Sequence, residues 1–254
     1  MYLVCCVPIS PLRAEAAHRS EMVSEVLFGE AVQLLEEGPD KWIRVRCLYD
    51  GYEGWTRLQA FTEIQEAVAT GVAHITADWG NEILFNGQPM YVPFGSDLRG
   101  LQNGNAEWGK YSWSFKGNHL DPQYTKPGEK NIRRFSSIFL NTAYLWGGRS
   151  AFGIDCSGFV QLVYKSVNIS LLRDAAQQAT QGEAIGFLQE AVCGDLAFFD
   201  NGEGRITHVG ILLNDHEIIH ASGKVRVDKI DSQGIINSDT GERTHKLRVI
   251  KRYF

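Results

Sequence analysis

One stretch, Tyr144-Leu-Trp-Gly-Gly-Arg-Ser-Ala-Phe-Gly-Ile-Asp-Cys-Ser-Gly-Phe-Val-Gln-Leu-Val-Tyr164, restricts the possible folds more than any other part of the sequence. From Cys156 the apolar side chains recur at Phe159, Val160, Val163 and Val167, which predicts an amphipathic helix with the cysteine in its first turn. A thiol there faces unpaired backbone N–H groups and the positive end of the helix dipole. Both favour the thiolate, which lowers a cysteine pKa from about 8.5 into a range of roughly 3.5 to 7.5. The competing reading is a buried core cysteine, the commonest fate of this residue type.

The residues that follow supply bases. Gly194-Asp-Leu-Ala-Phe-Phe199 predicts a turn into an apolar strand, Thr207-His-Val-Gly-Ile-Leu-Leu213 a second strand beginning beside His208, and Glu217-Ile-Ile-His220 a third. A cysteine at a helix start with a histidine on a facing strand is the papain-like arrangement, in which the imidazole takes the thiol proton and a further polar group orients its other nitrogen. His208 is the expected base and His220 the expected orienter. Asp155 is placed as the N-cap of the cysteine helix, its oxygen accepting a backbone N–H.

Taken in order, Tyr144-Leu-Trp-Gly-Gly148, Asp155-Cys-Ser-Gly-Phe-Val160, Gly194-Asp-Leu196, His208-Val-Gly-Ile211 and Ile219-His-Ala-Ser222 resemble the NlpC-type cell-wall cysteine peptidases, over roughly residues 130 to 254. The resemblance implies a papain-like α+β domain with Cys156 as nucleophile, His208 as base and His220 as third member. It also implies that Asp155 meets the free α-amine of a substrate, assisted by Ser157 and Tyr144, with Tyr144 a candidate oxyanion donor. Substrates of that family are murein stem peptides, L-Ala-γ-D-Glu-diaminopimelate or the L-Lys form, cut after γ-D-glutamate. A dipeptidyl-peptidase VI-like subgroup carries SH3-like modules in front and reads a free N-terminal L-Ala, so the implied role is recycling of murein peptides. Two other readings stand beside it: a non-catalytic cell-wall-binding protein, and an N-acetylmuramoyl-L-alanine amidase.

The segment before this domain has the rhythm of small β modules. Residues 20–30, Ala31-Val-Gln-Leu-Leu35, Lys41-Trp-Ile-Arg-Val-Arg-Cys47 and Gly54-Trp-Thr-Arg-Leu58 are predicted as short strands broken by Gly, Pro and Asp turns. Ile43, Val45 and Cys47 alternate with Trp42, Arg44 and Arg46, predicting one buried and one wet face. Pro11-Leu-Arg-Ala-Glu15, the Phe28-Gly-Glu30 turn and Gly51-Tyr-Glu-Gly-Trp55 resemble a bacterial SH3-like domain, which is placed at residues 1–66. Glu21 and Tyr52, in its turn-rich segments, are the candidates there for completing an amine pocket. A second, divergent SH3-like barrel is expected at 67–125, with Gly100 to Gly109 as a loop. A linker follows, then the papain-like domain at 130–254. That domain is expected to open with a helix from Ile132 to Ala143 and to hold another from Leu171 to Gln181.

Charge and cysteine usage narrow the partners. The net charge of −5 argues against nucleic acid and anionic membrane surfaces, which need a basic face. No apolar run reaches the length of a membrane span, and the N-terminal run Met1-Tyr-Leu-Val-Cys-Cys-Val-Pro8 is too short for a signal peptide. The five cysteines, Cys5, Cys6, Cys47, Cys156 and Cys193, are odd in number and show no metal-ligand spacing, so neither metal nor cofactor is expected. These features favour a monomer in a reducing, cytoplasmic compartment, with a periplasmic or secreted location if a leader has been removed.

Overall fold

The computed structural model describes residues 1–254. They form two compact units: Met1–Pro122 with Trp146–Phe152, and Gln123–Leu145 with Gly153–Phe254. The three-domain division expected from sequence therefore differs in two places: the two β modules share one unit, and residues 146–152 pack with them.

The first unit starts with a seven-stranded antiparallel sheet. In spatial order it runs Met22–Leu27, Ile9–Arg13, Glu53–Arg57, Trp42–Cys47, Ala31–Glu37, Tyr2–Cys5 and Phe61–Ile64. Inward side chains of these strands, among them Leu3, Leu12, Val26, Val32, Ile43 and Val45, form one core. Trp42 departs from the alternation. It is buried rather than wet, because the ring of His18 lies 5.1 Å away and the Arg57 guanidinium covers its face at 5.3 Å. The Phe28-Gly29 turn requires its glycine. Gly29 has φ +76°, and a Cβ there would lie 1.8 Å from the carbonyl oxygen of Asp97.

Residues 67–122 are built as a four-stranded sheet, Gln88–Pro93, Gly80–Phe85, Tyr111–Ser114 and Asn105–Trp108, with a separate ladder of His119–Leu120 on Ile75–Thr76. Part of the expected Gly100 to Gly109 loop is thus a strand. The core of this module is shared with its neighbour. Phe28, Val4 and Cys6 pack among Ile83, Val92, Trp108 and Trp113, with the Phe28 ring 5.0 Å from Trp108 and 5.5 Å from Trp113.

Residues 146–152 are held in this unit by charge. Arg149 is 2% exposed and donates to both Glu30 carboxylate oxygens, at 2.6 and 2.7 Å. Its own backbone N–H donates to Glu25 Oε2 at 2.7 Å, and the guanidinium lies over the Tyr49 ring. Glu30 also accepts the Leu27 N–H at 2.9 Å, so the carboxylate leaves water only for fixed donors.

The second unit is an antiparallel sheet that closes on itself. Arg243–Arg252 pairs with Leu196–Asp200 on one side and with Gly234–Ile236 on the other; between them run Ile206–Leu212, Glu217–Ser222 and Lys224–Asp231. The helix Cys156–Lys165 is buried at every residue and packs on the strands Ile206–Leu212 and Glu217–Ser222. The first expected helix spans Glu129–Ser137 and stops short of Ala143, since Asn141 turns to φ +66° and its N–H joins the Val225 carbonyl. Of the helix expected from Leu171 to Gln181, only Ala175–Gln178 is helical. It is opened by a capping box between Asp174 and Gln177, which leaves Leu171 and Arg173 in extended chain ahead of it.

Removing Arg149 while keeping Glu30 strands a buried carboxylate. Arg149→Ala is expected to cost about 3 to 5 kcal/mol in urea denaturation, and Arg149→Met with Glu30→Gln to recover a large part of that loss.

Candidate active site

The cysteine helix begins as the sequence pattern requires. Asp155 is its N-cap, with Oδ1 accepting the Gly158 N–H at 2.7 Å, and Cys156 is the first helical residue. The thiol lies against the backbone N–H groups of Ser157 and of Val209, the residue after His208 in the strand on which the helix packs. That register sets the thiol against the residue that follows His208. Tyr144 is electrostatically coupled to the same thiol, and its backbone is fixed by the Gly223 carbonyl at 3.0 Å.

A linear chain of hydrogen bonds runs away from the thiol. His208 Nε2 meets His220 Nδ1 at 2.8 Å, and His220 Nε2 meets Asp228 Oδ2 at 3.0 Å. Asp228 is 2% exposed, and its Oδ1 accepts the Ser238 N–H and an Arg226 N–H, both at 2.9 Å. These donors hold Asp228 ionised, its carboxyl well below the usual range despite burial. An ionised carboxylate only accepts, so His220 Nε2 carries a proton. With His220 Nε2 donating to Asp228, its Nδ1 accepts, His208 Nε2 donates, and the lone pair of His208 falls on Nδ1.

Gly210 makes room for this chain. It faces His220 across the ladder, and a Cβ on it would lie 2.8 Å from the His220 Cβ and from Ile218.

Burial decides the resting charges, against the expectation of a helix-activated thiolate. Loss of water pushes the Cys156 pKa up to about 12, with the Asp155 carboxylate adding to the rise; the Val209 and Ser157 N–H groups and Arg173 offset only part of it. Desolvation, with His220 and His245 beside it, carries His208 well below the ordinary imidazole value. The resting pair is therefore a thiol and a neutral imidazole, and the thiolate forms only as its proton moves to His208.

Residues 141–244 match the NlpC/P60 family and residues 12–61 the bacterial dipeptidyl-peptidase Sh3 domain. The chain joins an NlpC/P60 domain to a bacterial SH3 domain. It is 26% identical over 256 residues to the γ-D-glutamyl-L-lysine dipeptidyl-peptidase of Bacillus cereus, covering 89% of this chain and 76% of that protein. It is 26% identical over 269 residues to dipeptidyl-peptidase 6 of Lysinibacillus sphaericus, covering 92% and 93%. The crystal structure of an NlpC/P60 family protein from Bacillus cereus superposes with a TM-score of 0.82 over 100% of this chain and 99% of that one, at 20% identity.

Of the residues singled out in sequence, the NlpC/P60 domain brings together Cys156, His208, His220, Asp155, Ser157 and Tyr144. Asp155 is already engaged. Arg173, 1% exposed, donates to both its oxygens at 2.6 and 3.1 Å and to Ser157 Oγ at 2.9 Å, while the Ser157 hydroxyl donates to Asp155 Oδ1 at 3.3 Å. Glu21 and Tyr52 lie in the first unit. Glu21 Oε1 accepts the Trp146 indole N–H at 2.7 Å, a partner that sequence left without a role, and Tyr52 packs against the barrel core.

Three residues of the domain escaped sequence reading. Asp228 carries the faint signal of an acidic residue inside an otherwise strand-like run, Lys224–Asp231, where aspartate is depleted. Arg173 follows Leu171-Leu172 with nothing to separate it from a surface arginine. His245 sits in a polar terminal strand and reads like any exposed histidine.

Asp228→Asn presents an amide N–H to His220, reverses the chain of donors and places a proton on His208 Nδ1. The expected result is a loss of about 10²-fold or more in kcat with the thermal unfolding midpoint within a few degrees of the parent, measured by peptide turnover and calorimetry. Gly210→Ala is expected to lower kcat in the same assay by displacing His220.

Proposed function

We propose that this chain is a cysteine peptidase that hydrolyses the γ-D-glutamyl bond to the diamino acid in murein stem peptides bearing a free N-terminal L-Ala. The observation that carries the reading is the hydrogen-bonded series from Asp228 through His220 to His208, whose neighbour in the strand, Val209, presents its backbone N–H to the Cys156 thiol. The names borne by the full-length relatives, a γ-D-glutamyl-L-lysine dipeptidyl-peptidase and dipeptidyl-peptidase 6, support the bond and the substrate class.

In this mechanism the Cys156 proton passes to His208 Nδ1 as sulfur attacks the carbonyl carbon. The imidazolium is stabilised through His220 by the Asp228 carboxylate, two rings away. Oxyanion charge develops at the start of the cysteine helix, at its first backbone N–H groups, and beside Tyr144. Burial, with Cys156 and the Asp155 carboxylate beside it, raises the Tyr144 pKa to about 12, so its phenol remains a donor at neutral pH. His208 then protonates the leaving amine, and the acyl group stays on sulfur as a thioester. Water, losing its proton to His208, hydrolyses that thioester and restores the thiol.

Selection of the free amine is assigned to Asp155, with Ser157, Tyr144, Glu21 and Tyr52 as candidate partners. Arg173 already balances the Asp155 charge, so preference for an ammonium over an acylated nitrogen calls for a further carboxylate. The proposed setting is a monomer in a reducing cytoplasm, supported by five cysteines that are all free. No helix is long and apolar enough to cross a membrane.

The test is mass spectrometry of L-Ala-γ-D-Glu-diaminopimelate and its N-acetylated form. Release of L-Ala-D-Glu from the free peptide alone is expected; equal cleavage of both removes the amine-reading role, and cleavage of neither overturns the peptidase. Cys156→Ala is expected to abolish turnover and keep the fold. Because His208 is held below the ordinary imidazole range, the acid limb of kcat/KM is expected at a pH under 6.5.

A further inference from the structure

His245 lies outside the hydrogen-bonded series, yet it has the closest ring contact to the base. Its imidazole stacks on His208 with centroids 4.1 Å apart and planes at 27°, and it meets His220 edge-on at 5.7 Å. Phe199 backs both rings, 5.7 Å from His208 and 5.9 Å from His245. The His245 ring is itself anchored, with Nδ1 against Thr244 Oγ1 at 2.8 Å.

The other side of His245 is wet. A surface cleft of about 560 Å³, lined by Gln233, Arg243, Lys246 and His245 among others, reaches His245 but neither His208 nor His220. The His245 ring thus touches both the cleft and His208, which is 6% exposed.

We propose that His245 is a positioning residue for the reaction, a ring that seals the face of His208 from the cleft and fixes its plane so that Nδ1 stays on the thiol. The inference rests on the reading of His208 as base. It needs an aromatic face at 245 and no proton chemistry there. His245 is neutral at working pH, because burial and the nearby His220 carry its pKa down to about 4 against the opposing pull of Asp228.

The charged and titratable groups around His208 are these: Cys156, with Asp155 and Arg173 behind it, on the side of the cysteine helix; Tyr144 beside that thiol; His220, Asp228 and Arg226 from the strands on one flank; His245 and Lys246 from the terminal strand. Of these, His245 and Lys246 line the cleft, and of the two it is His245 whose ring stacks on His208. Its loss admits water to the His208 face, and a better-solvated imidazole is more easily protonated, so the acid limb of activity moves to higher pH.

The experiment compares His245→Ala with His245→Phe in the full chain, by kcat, KM and the pH profile of turnover, alongside the pH dependence of Cys156 alkylation by iodoacetamide located by mass spectrometry. Alkylation needs no peptide, so it tests the His245 role even if the proposed substrate fails. His245→Ala is expected to lower kcat about tenfold or more with KM within about twofold, and to raise the acid limb in both assays by about half a pH unit or more. His245→Phe is expected to restore kcat to within about threefold and to return the limb. An unchanged acid limb and kcat in a folded His245→Ala overturns the proposal, as does a His245→Phe variant as impaired as the alanine. Should alanine at 245 prevent folding, His245→Gln, of similar volume and without a ring, takes its place with the same expected and overturning results.

Discussion

The ionisation of Asp228 governs the site. A carboxylate with 2% exposure is unfavourable unless every lone pair is met, and here Ser238, Arg226 and His220 meet them. Once the charge is fixed, the protons of both histidines are fixed in turn, since each ring nitrogen has one partner and one permitted role. Direction is thereby transmitted over two imidazoles without any group changing charge at rest. The Cys156 thiol is buried, and loss of water holds it protonated.

A second buried pair organises the other side of the thiol. Arg173 and Asp155 neutralise each other at the cysteine helix start, and Ser157 is drawn into the same network. Asp155 therefore does two structural jobs, capping the helix and holding an arginine that arrives from extended chain seventeen residues beyond Cys156. In the first unit, Arg149 and Glu30 repeat the solution: a bidentate geometry at 2.6 and 2.7 Å, backbone donors on the acid and an aromatic ring under the guanidinium. Such pairs favour one arrangement of their elements because any other leaves a charge unpaired in a dry place.

The fold was legible where local chemistry is decisive. Asp155 ahead of Cys156 and the apolar spacing behind it specify a capped helix whatever surrounds them. Alternation in Trp42–Cys47 and the Phe28-Gly29 turn specify a small β module for the same reason. Trp42 broke its own pattern because two side chains distant in sequence, His18 and Arg57, cover it. The helix expected from Leu171 failed at its start: a capping box at Asp174 and Gln177 and the burial of Arg173 outweigh a weak periodicity.

The sequence by itself determined the capped helix that begins at Cys156, the strands that carry His208 and His220 and the order in which they are met, because a helix cap, a strand start and a strand end are each written within a few residues. Tertiary structure alone decided the rest. Asp228 reaches His220 across the hairpin of two consecutive strands, His245 reaches His208 from a strand far along the chain, and Arg173 reaches Asp155 from beyond the end of the cysteine helix. The charge state of the thiol was decided there as well: the local helix terminus favours a thiolate, and burial by the packed sheet outweighs it.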